Sequence, residues 1–290
     1  MKFHTAVIIY NPNSTGDSEK NAKQFAKELR RKADNIDVSV VATKSAGHAE
    51  EIAAQYAGKA DALIVSSSGD GGYNEVVNGV LVAGGKCTVA VLPSGNANDH
   101  HRAVAPSDMI DSIVKGKTRT IEAIMVKSIV DGKSWQRYAH SYVGFGLTPQ
   151  VGKILTDVRP NVLTEKWHVL RHIFSFKHVT MESDGKVHRY HSLVVATIDR
   201  MSKVIKLDES ANFNDGKMEV YESKYLSPFR TLKELLFAGV RGVSRTSRTH
   251  RLVVTTTKPL LVQLDGEVFT LDGKSEVVLT CEKDSIKTLA

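Results

Sequence analysis

At 290 residues, with 41% hydrophobic and 24% charged residues, the chain can bury a full core and is long enough for two domains. Two cysteines, Cys87 and Cys281, are too few and too scattered for a disulfide framework or a zinc site, which points to a reducing cytoplasm. The formal charge of +7 asks for an anionic partner. However, no zinc-finger spacing, RNP-type aromatic motif or basic repeat supports nucleic acid, and no apolar stretch nears the ~20 residues that span a bilayer.

The first ten residues carry little basic charge and run straight into a strand at 6–10, so they read as structure rather than as a cleavable signal. A polar loop follows, Asn11-Pro12-Asn13-Ser14-Thr15-Gly16, and then Ala22, Phe25, Ala26 and Leu29 recur at the spacing of a buried helical stripe. A strand at 36–42 ends at Thr43, and Ala49, Ile52, Ala53 and Tyr56 repeat the stripe. The apolar run 61–65 leads through a glycine turn into a helix marked by Val76, Val77, Val80 and Leu81; a fourth strand, 88–91, closes on Leu92-Pro93-Ser94-Gly95-Asn96-Ala97-Asn98-Asp99. Such alternation predicts an α/β domain with a doubly wound parallel sheet. From Thr120 the texture becomes β-rich, with runs at 121–130, 136–143, 187–198, 249–257 and 277–281 and helical inserts at 164–177 and 228–240. We place the boundary at 120/121, giving domains 1–120 and 121–290, the second β-rich and β-sandwich-like. There is no internal repeat or low-complexity tract.

Residues 66–79, SSSGDGGYNEVVNG, carry the most chemistry. Gly69, Gly71 and Gly72 allow positive φ and close backbone approach, so N–H groups and a helix N-terminus can converge on an anionic oxygen such as a nucleotide phosphate. Asp70 would repel a bare phosphate, but fits if Mg²⁺ lies between them. Three polar loops at the carboxyl ends of strands are where an open α/β sheet binds ligands. Other motifs carry less. Residues 79–87 resemble a Walker loop with wrong glycine spacing and Cys87 where a hydroxyl is needed, and Asn74 replaces the third glycine of a dinucleotide fingerprint. His100 and His101 are adjacent, so their side chains diverge and read as polar or rim residues rather than a metal pair. Residues 167–177 combine aromatics, aliphatics and cations, as an interfacial helix or a core-packed helix with a basic outer face would. Gly144-Phe145-Gly146 could shape an acyl pocket or permit a sheet bend.

SGDGGYNEVVNG is similar to the GGDGTxNEVxNG of the diacylglycerol kinase catalytic domain family, and LPSGNAND to its LPxGTxND. NPNSTG resembles NPxSG, residues 212–218 resemble a DDGxL segment, and Leu264-Asp265-Gly266-Glu267 resembles DGE. The motifs keep the family's order over almost the whole chain. That superfamily includes bacterial lipid kinases, sphingosine kinases and ceramide kinases, with NAD kinases as remoter relatives. The chain departs from it at Ser68, Gly72 and Asn96, and at 198–203, where bacterial lipid kinases carry a GN segment and a glycine triplet.

The resemblance implies transfer of the ATP γ-phosphoryl group to a hydroxyl of diacylglycerol, a sphingoid base or a related lipid, with Mg²⁺. It implies a phosphate cradle from Asn11, Pro12, Asn13, Ser14, Thr15, Gly16, Gly69, Gly71, Gly72 and Asn96, with Asp70 acting on the Mg-ATP complex. Tyr73, Asn74 and Glu75 would hold loop and nucleotide, and Thr43 would add a weaker contact. Glu267 is the first choice for general base, Asp265 the second and Asp70 the next. A structural Mg²⁺ would be held by Asp215, with Asn212 and the Lys217 carbonyl, though only one Asp stands where the family often has two. The final segment would return to the first domain. A cytoplasmic enzyme, peripheral at an anionic membrane that holds its lipid substrate, is expected, and it could form a homodimer. An NAD kinase-like enzyme and a non-catalytic lipid- or nucleotide-binding homologue are the alternatives; LPSGNAND and LDGE sit better with lipid kinases.

Overall fold

The computed structural model describes residues 2–14, 16–95, 98–151, 178–183, 185–201, 205–206, 213–224 and 245–290. Contacts divide the chain into two units, one of Met1–Ala123 with Phe213–Asp215 and Glu282–Ala290, the other of Ile124–Asn212 with Gly216–Cys281. The helical inserts at 164–177 and 228–240, including the interfacial segment 167–177, lie outside the described residues.

The N-terminal unit runs β1 (Thr5–Tyr10), α1 (Ser18–Lys32), β2 (Asp37–Ala42), α2 (His48–Tyr56), β3 (Ala62–Ser68), α3 (Asp70–Val82), β4 (Thr88–Pro93), α4 (Asp99–Val104) and α5 (Met109–Lys115). Its four strands are parallel, in the order β2-β1-β3-β4. All seven residues of β3 are buried, as expected of a central strand covered on both faces. On one face Ala6, Ile8, Leu63 and Val65 pack with the α1 stripe Ala22, Phe25, Ala26 and Leu29, with Ile110 and Ile113 of α5, and with Leu289. The alternate residues Val7, Ile9 and Ile64 are equally buried, and α2 and α3 pack on β3 and on each other. A Cβ on Gly79 would collide with the Glu50 carbonyl oxygen, so this glycine serves the close α2–α3 approach. Strand order reverses between β1 and β3, and the carboxyl ends beside such a switch point form the natural ligand crevice.

The second unit is built from β5 (Thr118–Val130), β6 (Lys133–Ala139), β7 (Tyr142–Gly146), β8 (Val179–Ser183), β9 (Lys186–Ala196), β10 (Arg200–Met201), β11 (Ile205–Lys206), β12 (Met218–Lys224), β13 (Ser247–Thr249), β14 (Arg251–Thr256), β15 (Leu260–Leu264), β16 (Glu267–Leu271) and β17 (Glu276–Leu289). Among the described residues eleven strands form one sheet whose main path runs from β16 to β6, curled around a core that includes Val126, Phe145, Leu193, Val195, Val262 and Leu279, with a smaller cluster of Tyr142, Val194, Ala196, Met201 and Tyr221 beside it. The curl brings the two edges together. The Asp272 carboxylate accepts the N–H groups of Asp131 (3.1 Å) and Gly132 (2.8 Å) in the β5–β6 turn, and the Asp272 N–H donates to Ile129 (3.0 Å). At the other end Asp265 accepts the N–H groups of residues 140–142. Those bonds break the run 136–143, expected as one strand, into β6 and β7.

Candidate active site

Small residues let the three loops after β1, β3 and β4 touch. The Asn11 carbonyl accepts the Ser14 N–H (3.1 Å) and the Ser18 hydroxyl, and its side-chain oxygen accepts the Asn13 N–H (2.9 Å), the local turn that asparagine favours. The Ser14 hydroxyl then donates to the Ser94 carbonyl (3.0 Å), and a Cβ on Gly16 would strike that same oxygen. Gly69 and Gly95 face each other so closely that a Cβ on Gly95 would collide with the Gly69 Cα. Beneath them Ser67 donates to the Ser18 carbonyl (2.8 Å) and shares a hydrogen bond with the Ser94 hydroxyl (3.0 Å), which also receives the Asn21 amide (3.0 Å). The gathered loops include the N-terminal turns of α1 and α3, whose aligned peptide dipoles favour anions. An open groove beside the first loop is lined by Pro12, Gly16, Asp17, Ser18, Glu19, Lys20 and Lys23.

Asp70 opens α3, and its two oxygens accept the N–H groups of Asp99 (3.1 Å) and His100 (3.2 Å) at the start of α4. Two such bonds fix the direction of the carboxylate, which suits a hard cation with strict octahedral demands. Glu75 is half-buried and accepts the Ala49 N–H in the first turn of α2 (3.2 Å), tying α2 to α3. Thr43 is half-buried, and its N–H donates to the Tyr10 carbonyl (2.8 Å) at the end of β1. Tyr73 and Asn74 correct the expectation. Both are wholly buried: the Tyr73 ring lies 4.9 Å from that of His100, and the Asn74 side chain accepts from the Asn78 amide (3.0 Å). Because α3 begins at Asp70, the first turn points them into the protein, so they support the loop from behind instead of touching a nucleotide. Thr15 and Asn96 lie outside the described residues.

Ser68 and Gly72 explain each other. A Cβ on Gly72 would stand 2.7 Å from the Ser68 Cβ and 2.8 Å from its hydroxyl oxygen, closer than such atoms pack. The side chain stands at position 68, where the hydroxyl bonds Ser66 (2.7 Å) and the Gly69 carbonyl (2.9 Å). Gly72→Thr alone is therefore expected to lower melting temperature and nucleotide affinity, whereas adding Ser68→Gly restores both. A fully active single variant would contradict this pairing.

Asp265 and Gly266, with φ of 49° and 103°, form a two-residue turn between the paired residues Leu264 and Glu267, the geometry that favours Asp-Gly in hairpins. Asp265 is wholly buried; it accepts the N–H groups of His140 (2.6 Å), Ser141 (3.0 Å) and Tyr142 (2.9 Å) and lies 3.3 Å from His140 Nε2. A carboxylate so enclosed cannot reach a lipid hydroxyl, which corrects its place as second candidate base and makes it a turn anchor. Glu267 keeps 27% of its side chain exposed, 3.7 Å from the Arg137 guanidinium. Sequence reasoning missed Arg137 and the Ser67–Ser94–Asn21 web; Ser67 and Ser94 had a signal only from their places in 66–79 and LPSGNAND.

Asp215 is half-buried and Lys217 exposed, and Asn212 lies outside the described residues. Beside them the Asn214 amide donates to the Asp284 carboxylate (2.6 Å) and its oxygen accepts the Asp284 N–H (3.0 Å). Hydrogen bonds from Thr120 and then Asn214 hold the Asp284 carboxyl below its ordinary range. Among the described residues no group of three His, Cys, Asp or Glu is gathered. An Asp215 carboxylate with backbone carbonyls suits Mg²⁺, which keeps several waters. His100 is buried, and His101 Nδ1 lies 3.1 Å from the Val91 carbonyl, with burial pulling its pKa down. Burial pushes the Cys87 thiol up to about 11, leaving it inert.

A parallel sheet crowned by three polar loops, followed by a curled antiparallel sheet, is the fold shared by diacylglycerol kinases and NADH kinases. The chain aligns over its full length with a crystal structure of a diacylglycerol kinase from Bacillus anthracis str. Sterne (TM-score 0.73, 18% identity, 97% of that chain). It also aligns over its full length with yeast NADH kinase complexed with NADH (TM-score 0.52, 11% identity, 84% of that chain); these two likenesses carry the fold alone. In sequence, the chain is 25% identical to a diacylglycerol kinase of Bacillus subtilis over 280 residues, 90% of this chain and 89% of that protein. It is 28% identical to one of Staphylococcus epidermidis over 222 residues, 73% and 67% of the two chains. Residues 5–126 match the diacylglycerol kinase catalytic domain. These sequence likenesses show that the protein is a kinase.

Proposed function

We propose that the protein is an ATP-dependent lipid kinase that phosphorylates the hydroxyl of diacylglycerol or a related lipid. The observation that carries this reading is the contact of three small-residue loops at the switch point of the parallel sheet, with the Asp70 carboxylate fixed among them by two N–H groups. The N-terminal unit would take the nucleotide and the β-rich unit the lipid. Backbone N–H groups and helix termini of the cradle orient the triphosphate, since positioning and charge neutralisation dominate phosphoryl transfer. Mg²⁺ would supply charge neutralisation on the phosphate oxygens, and Asp70 would hold it; Asp215 with the Lys217 carbonyl would hold a structural ion. The lipid hydroxyl oxygen bonds to the γ-phosphorus, the bond to the bridging oxygen of ADP breaks, and Glu267 takes the hydroxyl proton.

Calorimetric titration with Mg-ATP tests the cradle. Saturable binding is expected, and its absence at millimolar nucleotide would remove the reading. The net charge of +7 supports an acidic membrane as the place of work, because each Lys or Arg near anionic lipid contributes about 1 kcal/mol. Sedimentation with phosphatidylglycerol vesicles should exceed that with neutral vesicles and weaken with salt; equal binding to both at low salt would count against a membrane role.

A further inference from the structure

We infer that Arg137 is a positioning residue that holds Glu267 in its working direction, an inference that rests on Glu267 being the acceptor of the hydroxyl proton. Strands β6 and β16 are the two edges of the curled sheet and share no strand ladder. They nevertheless face each other in antiparallel sense. Asp272 clamps one end through the N–H groups of residues 131 and 132, and Asp265 clamps the other through those of residues 140–142. Between the clamps two side-chain pairs meet. Trp135 packs on Phe269 with ring centroids 5.2 Å apart, and the Arg137 guanidinium lies 3.7 Å from the Glu267 carboxylate. Residues 135 and 137 share one face of β6, and residues 267 and 269 share one face of β16, by the two-residue period of a strand.

Arg137 is held from two sides. Its guanidinium also lies over the Phe269 ring at 5.6 Å, and only 17% of its side chain is exposed. A planar guanidinium fixed on an aromatic face is a preorganised partner for a carboxylate. Such a partner narrows the rotamers open to Glu267. Glu267 follows the turn on an edge strand with 27% of its side chain exposed, and an unsupported glutamate there would spread over several rotamers, whereas a general base must come within about 3 Å of its proton donor. The edges are joined without this ion pair, by five backbone N–H groups on two carboxylates.

The test compares Arg137→Gln, Arg137→Lys, Glu267→Gln and the double variant Arg137→Gln/Glu267→Gln. Each is assayed with Mg-ATP and whichever of dioctanoylglycerol, sphingosine or phosphatidylglycerol in mixed micelles the unaltered protein phosphorylates fastest, with melting temperature measured alongside. Arg137→Gln should lower kcat roughly 10- to 100-fold with KM for ATP changed less than about 2-fold. Lysine should recover only part of the loss, and the double variant should be no slower than Glu267→Gln, since residues acting as a unit are not additive. If Glu267→Gln is slow but Arg137→Gln is normal, or if the two losses multiply, the inference on Arg137 falls and the reading of Glu267 stands. Near-normal turnover in Glu267→Gln would sink both. Should Arg137→Gln lose its cooperative melting transition, the same kcat and KM comparison on Arg137→Lys decides.

Discussion

Glu267→Gln is expected to lower lipid phosphorylation by roughly 10²- to 10⁴-fold, the usual loss when a general base is removed, while leaving Mg-ATP affinity unchanged. The amide keeps the shape of the side chain but is a poor proton acceptor. Asparagine at Asp265 should behave differently. That carboxylate is wholly buried and faces three backbone N–H donors, so an amide NH₂ among them leaves buried donors opposed at about 1–3 kcal/mol or more. Thermal denaturation should therefore report Asp265→Asn as a stability loss, and steady-state kinetics should report Glu267→Gln as a kcat loss. The reverse assignment, a stable Asp265→Asn without turnover, would return the base to Asp265. Near-normal activity in both variants would make the LDGE turn purely structural.

Asp70→Asn should lower turnover on the order of 10²- to 10³-fold, the scale of losing one electrostatic group in a preorganised site. It removes a charge with little change in size. The side chain also accepts the N–H groups of Asp99 and His100, so the second consequence is a loosened junction with α4, visible as a modest drop in melting temperature. Circular dichroism should show an intact fold. Equal turnover in this variant would reject the role of Asp70 beside the metal-nucleotide complex.

The parallel sheet was legible because its signal is local: Ala22, Phe25, Ala26 and Leu29 form one stripe at helical period, and each strand ends in a glycine- or asparagine-bearing loop. The loop residues were likewise readable as a group from their small size. Their facing was not. Tyr73 and Asn74 sit inside the motif yet turn inward, because the first turn of α3 begins at Asp70. The second unit was readable as strands but not as a closed curl. Its closure depends on Asp265 and Asp272, each more than a hundred residues from its partners, and no periodic pattern encodes such a pairing. Arg137 was missed for the same reason, since nothing on β6 announces that β16 lies opposite.

The claim that this kinase acts on lipid is tested most directly by incubating the purified protein with Mg²⁺ and γ-labelled ATP in the presence of diacylglycerol, sphingoid base, phosphatidylglycerol or NAD, and resolving the labelled products. Label in an extractable lipid phosphate, with none in NADP, is the predicted result. Label in NADP, or none in any acceptor while Mg-ATP binds, would contradict it.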